Sequence, residues 1–144
     1  MSKLSKSIIG VLLLAATLII TFRAIDHEPV DDLSFQGKTV AIIENSGCMV
    51  CHSEDPKLPW YNKVPLIGDK IRNDSKKGLS SINLRPYYES VLEAGLIDKN
   101  AAVRIDSVLI SRTMPPTSYT ILRPGSRVNP NEREIILEWN KLHQ

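Results

Sequence analysis

The pentapeptide Cys48-Met49-Val50-Cys51-His52 decides how this sequence is read. It holds both cysteines of the 144-residue chain and one of its three histidines. C-x-x-C-H is the attachment pattern of a c-type haem. Residues three apart lie on one face of a helical turn, so both thiols reach the two vinyl groups of one porphyrin. The imidazole of the next residue then turns beneath the ring onto the iron. Two competing readings of the pair are weaker. A thioredoxin-like redox pair wants a βαβ setting, which the surrounding sequence lacks. A zinc site needs more ligands than His27 and His143, near the chain ends, supply.

An iron held by one histidine has a sixth position to fill. Met1 lies beyond the apolar amino-terminal run, and Met49 sits inside the attachment turn, aimed away from the iron. Met114 remains, in Arg112-Thr113-Met114-Pro115-Pro116. Its two prolines restrict the backbone and stop a preceding helix, which suits a ligand that must stay at a fixed distance. A methionine at a helix end is also an ordinary core residue. His143 is the other candidate ligand, at a penultimate position where termini fray. Trp60, Tyr61 and Tyr119 are candidates for contacts with haem propionates through their polar atoms, although such aromatics also simply pack in cores.

Further out, residues 7–22 read SIIGVLLLAATLIITF, sixteen positions without a charge. As a helix this run spans about 24 Å, against roughly 30 Å of bilayer hydrocarbon, and snorkelling by Lys6 and Arg23 extends its reach. Lys3 and Lys6 ahead of the run predict a cytoplasmic amino terminus and export of the chain from residue 24 onward. A cleaved signal peptide is the competing reading, but Phe22 stands where its cleavage site wants a small residue. The chain thus divides into a membrane anchor or signal segment over 1–23, a polar tether over 24–37 and a domain over 38–144. Beyond residue 23 there are fifteen basic and sixteen acidic side chains. A nearly neutral domain of this kind is not built to grip nucleic acid.

No stretch shows the alternation of a strand, so an all-α fold is expected. One helix is predicted over 37–45, stopping at Gly47, followed by irregular, proline-broken chain over 53–68. A helix over 87–94 should stop at Gly95. Another, over 98–112, should turn Ala101, Ile105, Val108 and Leu109 inward. The last begins at Asn129-Pro130 with Glu132 completing a capping box, and packs Ile135, Ile136, Trp139 and Leu142 against the first. Residues 69–77 mix Lys70, Arg72, Lys76 and Lys77 with Asp69 and Asp74. They read either as a solvated loop or as a surface that steers an acidic redox partner.

Taken in order, these pieces resemble the haem-binding domain family of bacterial exported proteins. The matching stretches are Cys48-Met49-Val50-Cys51-His52-Ser53, Leu58-Pro59-Trp60-Tyr61, Val64-Pro65, Met114-Pro115-Pro116-Thr117-Ser118-Tyr119-Thr120 and the helix over 129–139. Over roughly residues 38–142 the chain is also similar to the amino-terminal haem domain of membrane-anchored trihaem cytochrome c peroxidases. The resemblance implies a small cytochrome c-like helical domain around one covalent haem c. Cys48 and Cys51 would be its thioether links, and His52 and Met114 its iron ligands. The two-haem peroxidase portion has no counterpart in these residues, so an electron-transfer protein rather than an enzyme is expected. It would be anchored at the inner membrane with its haem domain in the periplasm. It would relay single electrons from membrane quinol or a quinol-oxidising complex to a partner such as a cytochrome c peroxidase. Two other functions stay open: a haem-based gas or redox sensor from whose iron Met114 departs, and a haem-free C-x-x-C thiol oxidoreductase.

Overall fold

Every regular element is helical among the residues that the structure, a computed structural model, describes: 3–26 and 33–144. Residues 27–32 of the expected tether, with His27, and Met1 lie outside them. Helix α1 is Lys3–Asp26. Over residues 8–20 its large apolar side chains are open to the surroundings, Leu13 at 64% and Ile20 at 68% exposure. The expected membrane-spanning helix is not found: among the described residues no helix is long and apolar enough to cross a membrane.

Helix α2 (Phe35–Ser46) starts two residues before the expected position, because the Ser34 side chain caps it by accepting the Gly37 N–H at 3.1 Å. It ends at Gly47 as expected, with φ at 72°, a left-handed conformation that favours glycine. The same glycine caps the one-turn helix α3 (Cys48–Cys51). The proline-rich stretch after it contains a 3-10 turn, Trp60–Lys63. Residues 69–77, for which a solvated loop was one reading, fall within a fifteen-residue helix, α4 (Ile67–Ser81). Lys70 pairs with Asp74 and Arg72 with Asp69, both at 2.7 Å and one helical turn apart. The inward face of α4 is Ile71, Ser75 and Gly78 rather than a row of large apolar groups, which is why hydrophobic periodicity does not reveal it.

Helix α5 (Arg85–Leu92) ends two residues before the expected position. The left-handed residue at its end is Ala94 (φ 50°), and Gly95 follows it, donating its N–H to the Ser90 carbonyl at 2.9 Å. Helix α6 (Lys99–Ile110) is capped by Asp98, which accepts the Ala101 N–H at 2.8 Å. Its buried residues are Ala102 and Leu109, with Ala101, Ile105 and Val108 half-buried at the margin. A short helix α7 (Thr117–Leu122) was not foreseen. Helix α8 (Pro130–His143) has the expected capping box between Asn129 and Glu132.

Helices α2 and α8 pack together, joined by the rings of Phe35 and Trp139, whose centroids are 5.3 Å apart. Ile43, Tyr87, Val91, Ile97, Ala102 and Trp139 form the main core, and Ile42, Leu109 and Ile136 a second cluster beside it. Truncating Trp139 to alanine would cost roughly 3–5 kcal/mol. Two expectations for α8 need correction. Leu142 is 63% exposed, and the core position goes to Asn140, which accepts from Tyr87 Oη at 2.7 Å and donates to Asp106 at 2.6 Å. His143 is no frayed terminus: its ring stacks on Trp139 at 3.8 Å and its carbonyl accepts the Ile97 N–H. The inward seam of α8 runs 136, 139–140, 143, and helical spacing leaves 142 outside it.

Candidate functional site

The turn from α2 through Gly47 into α3 places Cys48, Cys51 and His52 within five residues on one side of a cavity of about 410 Å³. That volume is in the range of cofactor sites, roughly 300–1,000 Å³. Most of its wall is apolar: Ile43 from α2, Ile105, Val108 and Leu109 from α6, Val128, and Ile136 from α8. Met114, Pro115 and Pro116 border it from the loop between α6 and α7, and Tyr119 borders it from α7. Four of the expected site residues separated by up to 66 positions, Cys48, Cys51, His52 and Met114, thus line one cavity.

The orientation of His52 is set from both ends. Its Nδ1 lies 3.1 Å from the carbonyl of Ile82, the residue that ends α4. A carbonyl only accepts, so Nδ1 carries the proton and Nε2 keeps a lone pair for a metal. The His52 carbonyl in turn accepts the Leu84 N–H at 2.7 Å, so residues 82–84 grip both ring and backbone. Helix α4 can lie this close to α3 because of Gly78: a Cβ there would overlap the Cys51 carbonyl oxygen. None of this second layer was foreseen from the sequence. The single legible signal is a glycine, Gly78, kept inside an otherwise helix-forming run.

Cys48 Sγ lies 3.1 Å from Ser46 Oγ. Burial pushes the Cys48 thiol up from its ordinary value. Cys51 is pushed up to about 11, by burial first and then by the negative charge of Asp74. Both thiols are therefore neutral near pH 7, unlike the activated thiolate of a disulfide oxidoreductase. Among the described residues no group of three metal-binding side chains forms a zinc-type cluster.

Met114 is held by the end of α6. Arg112 sits at φ 56°, the Thr113 N–H reaches the Val108 carbonyl at 3.1 Å and the Arg112 N–H reaches Leu109 at 3.2 Å, a Schellman ending. The loop then leaves toward Pro115 with Met114 at 39% exposure. The Tyr119 hydroxyl is 3.2 Å from Arg123 Nη1, which also donates to the Glu44 carbonyl at 3.2 Å. Burial raises the Tyr119 phenol to about 12 against the opposing pull of Arg123. A Cβ on Gly47 would overlap this hydroxyl, so α7 closes directly over the glycine.

Trp60 and Tyr61 do not line this cavity. The 3-10 turn that carries them is tied to α4 instead, the Asn62 carbonyl accepting from Arg72 Nη1 at 3.1 Å. Trp60 is 71% exposed, while Tyr61 is buried beside a second cavity of about 470 Å³ that Tyr119 also lines. His143, the alternative ligand, is turned to Trp139, with its Nδ1 3.0 Å from the Trp139 carbonyl. Lys77, from the stretch read as a solvated loop or a partner-steering surface, reaches the cavity margin, as does Arg104, which nothing in the sequence points to; Arg104 Nη2 donates to the Ser81 carbonyl at 2.9 Å.

An apolar cavity with a histidine lone pair, two neutral thiols one turn apart and a methionine sulfur at its edge fits a haem. The fold and site are those of a small helical haem protein. Comparison with known proteins places it further: residues 14–142 match the Haem-binding domain family, and the chain belongs to that family. It is also 31% identical over 107 residues to Cytochrome c peroxidase Ccp of Escherichia coli (strain K12). That match covers 74% of this chain and 23% of the relative, so the chain spans about a quarter of the relative's length. No solved structure matches the chain.

Proposed function

We propose that this chain is a one-electron carrier of the c type. Cys48 and Cys51 hold a single haem by thioether links, with His52 Nε2 and Met114 Sδ as its iron ligands. The observation that carries this reading is the meeting of all four side chains at one apolar cavity. When bound, the haem supplies a centre that takes up and releases one electron. The protein's part is to keep both ligands still through that change and to exclude water. The Ile82 carbonyl holds the imidazole, the apolar groups of α6 and α8 that line the cavity would surround a haem bound there, and the proline loop carries the sulfur. Two protein ligands leave no site for a small molecule, which favours electron transfer over peroxide chemistry.

The exposed apolar side chains of α1 and the basic residues ahead of them support attachment to the inner membrane with the domain in the periplasm. The E. coli relative is named a peroxidase, which supports a peroxidase as one electron acceptor, with a quinol-oxidising complex as donor. Mass spectrometry of the exported protein tests the covalent link, since attachment adds one haem mass and removes both free thiols. The oxidised form should show the weak red absorption of sulfur ligation, and the reduced form should resist carbon monoxide. Ready binding of carbon monoxide would replace the carrier by the gas-sensor reading, which the 39% exposure of Met114 favours.

A further inference from the structure

We propose that the turn bearing Trp60, Val64 and Leu66 is the docking face for a redox partner protein with an acidic rim. This rests on the electron-carrier reading. Trp60 is 71%, Val64 39% and Leu66 83% exposed, three large apolar side chains within seven residues. They stand on a braced element, because Asn62 is bonded to Arg72 and the Gly68 N–H reaches the Val64 carbonyl at 2.8 Å. Leu66 holds φ at 67°, so an exposed leucine is kept in a conformation that leucine disfavours.

The charge around this apolar tip is one-sided. Residues 57–77 carry six basic and two acidic side chains, whereas the rest of the chain beyond residue 23 carries nine basic and fourteen acidic. Both acids of the stretch are taken up within α4, Asp74 by Lys70 and Asp69 by Arg72. Lys57 and Lys63 are exposed and form no ion pair among the described residues. An apolar centre within a cationic rim is the pattern of a transient protein interface and calls for a partner of opposite rim charge.

The face also leads to the haem cavity. The Trp60 ring meets Tyr61 edge-on at 5.6 Å, and Tyr61 shares the second cavity with Tyr119, which lines the first. Lys70 and Lys77 border the haem cavity from the same α4 that braces the turn. A partner seated on Trp60 would thus stand beside the electron's exit. A bilayer is the less suited occupant, since α1 already exposes a far longer apolar surface than this turn does.

The test uses the full, haem-loaded chain, reduced and mixed with two oxidants of opposite charge. In each case the iron gives up one electron, reducing hexacyanoferrate(III) to hexacyanoferrate(II) or tris(phenanthroline)cobalt(III) to cobalt(II). The double variant Lys57→Glu/Lys63→Glu should slow the anionic oxidant roughly tenfold at low salt and speed the cationic one. Lys99→Glu/Lys141→Glu, with the same change in net charge, should alter either rate less than twofold. Equal responses of the two pairs would overturn the proposal. So would a Trp60→Ser/Leu66→Ser variant that splits a dimer of the wild-type chain, which would make the face a self-contact. Loss of phosphatidylglycerol-vesicle binding by Lys57→Glu/Lys63→Glu, with both rates unchanged, would make it a lipid contact and overturn it equally. A wild-type chain without haem would overturn the carrier reading as well, whereas a loaded chain with indifferent variants sinks the docking face alone.

Discussion

The attachment wall of the cavity and the Met114 loop are held by different means. Around Cys48, Cys51 and His52 the backbone is locked repeatedly: Gly47 turns the chain, Gly78 lets α4 touch Cys51, and residues 82–84 hold His52 at ring and carbonyl. Met114 has no hydrogen-bonded ring to fix it and stands 39% exposed on a short loop, with only the Schellman turn and two prolines to restrict it. One wall is rigid through tertiary contacts and the other through local chain stiffness. Under the proposed haem ligation, the first wall should stay in place through a redox change, and the second is where a ligand would leave.

The largest expected contrast comes from removing the two proposed ligands in turn. His52→Ala should abolish a well-defined low-spin haem spectrum. Met114→Ala should keep the covalent haem, lose the red sulfur band, lower the reduction midpoint and admit carbon monoxide. Optical titration checks all four, and an unchanged Met114→Ala spectrum would end the comparison. Next in size is Gly78→Ala, expected to destabilise by about 1–3 kcal/mol because a backbone oxygen leaves the new methyl no room. A denaturant midpoint for the holoprotein measures it, and a neutral result would show the attachment wall to be softer than its contacts imply.

The thiols give a pH effect that only the unloaded protein should have. Folding raises Cys51 to about 11 from an ordinary 9.0, so the unfolded chain loses this proton first as pH rises. Stability of the unloaded protein should therefore fall between pH 9 and 10, where the thioether form, which has no thiol proton, stays level; above pH 10 the raised Tyr119 phenol adds a decline common to both forms. Thermal melts of both forms across that range decide it. Smallest is Arg112→Gly, at the left-handed residue before Met114. It should gain about 0.5–1 kcal/mol by relieving the strained φ, with no change in the haem spectrum.

The features legible in the sequence were local. The C-x-x-C-H turn, the Gly47 stop, the Asp98 cap and the Asn129–Glu132 capping box each depend on side chains within four residues of the backbone they satisfy. The proline-stiffened Met114 could be singled out because the alternatives were few. Helix α4 was hidden because it packs through a glycine and small polar groups. That Trp60 and Tyr61 stand outside the lining of this cavity was not legible, because nothing near them in sequence announces that Arg72 ties their turn to α4. His143 looked free because its partners, Trp139 and Ile97, become neighbours only when α8 docks.

By itself the sequence determined the chemistry available, two thiols and an imidazole one turn apart, because that geometry is a property of a single helical turn. It also determined where most helices begin, since caps are satisfied within a few residues. Only the tertiary structure decided that the Ile82 carbonyl orients His52, that Gly78 admits α4, and that Met114 reaches the same cavity. These segments lie 27 to 66 residues apart, and their meeting depends on how whole helices pack rather than on any local pattern.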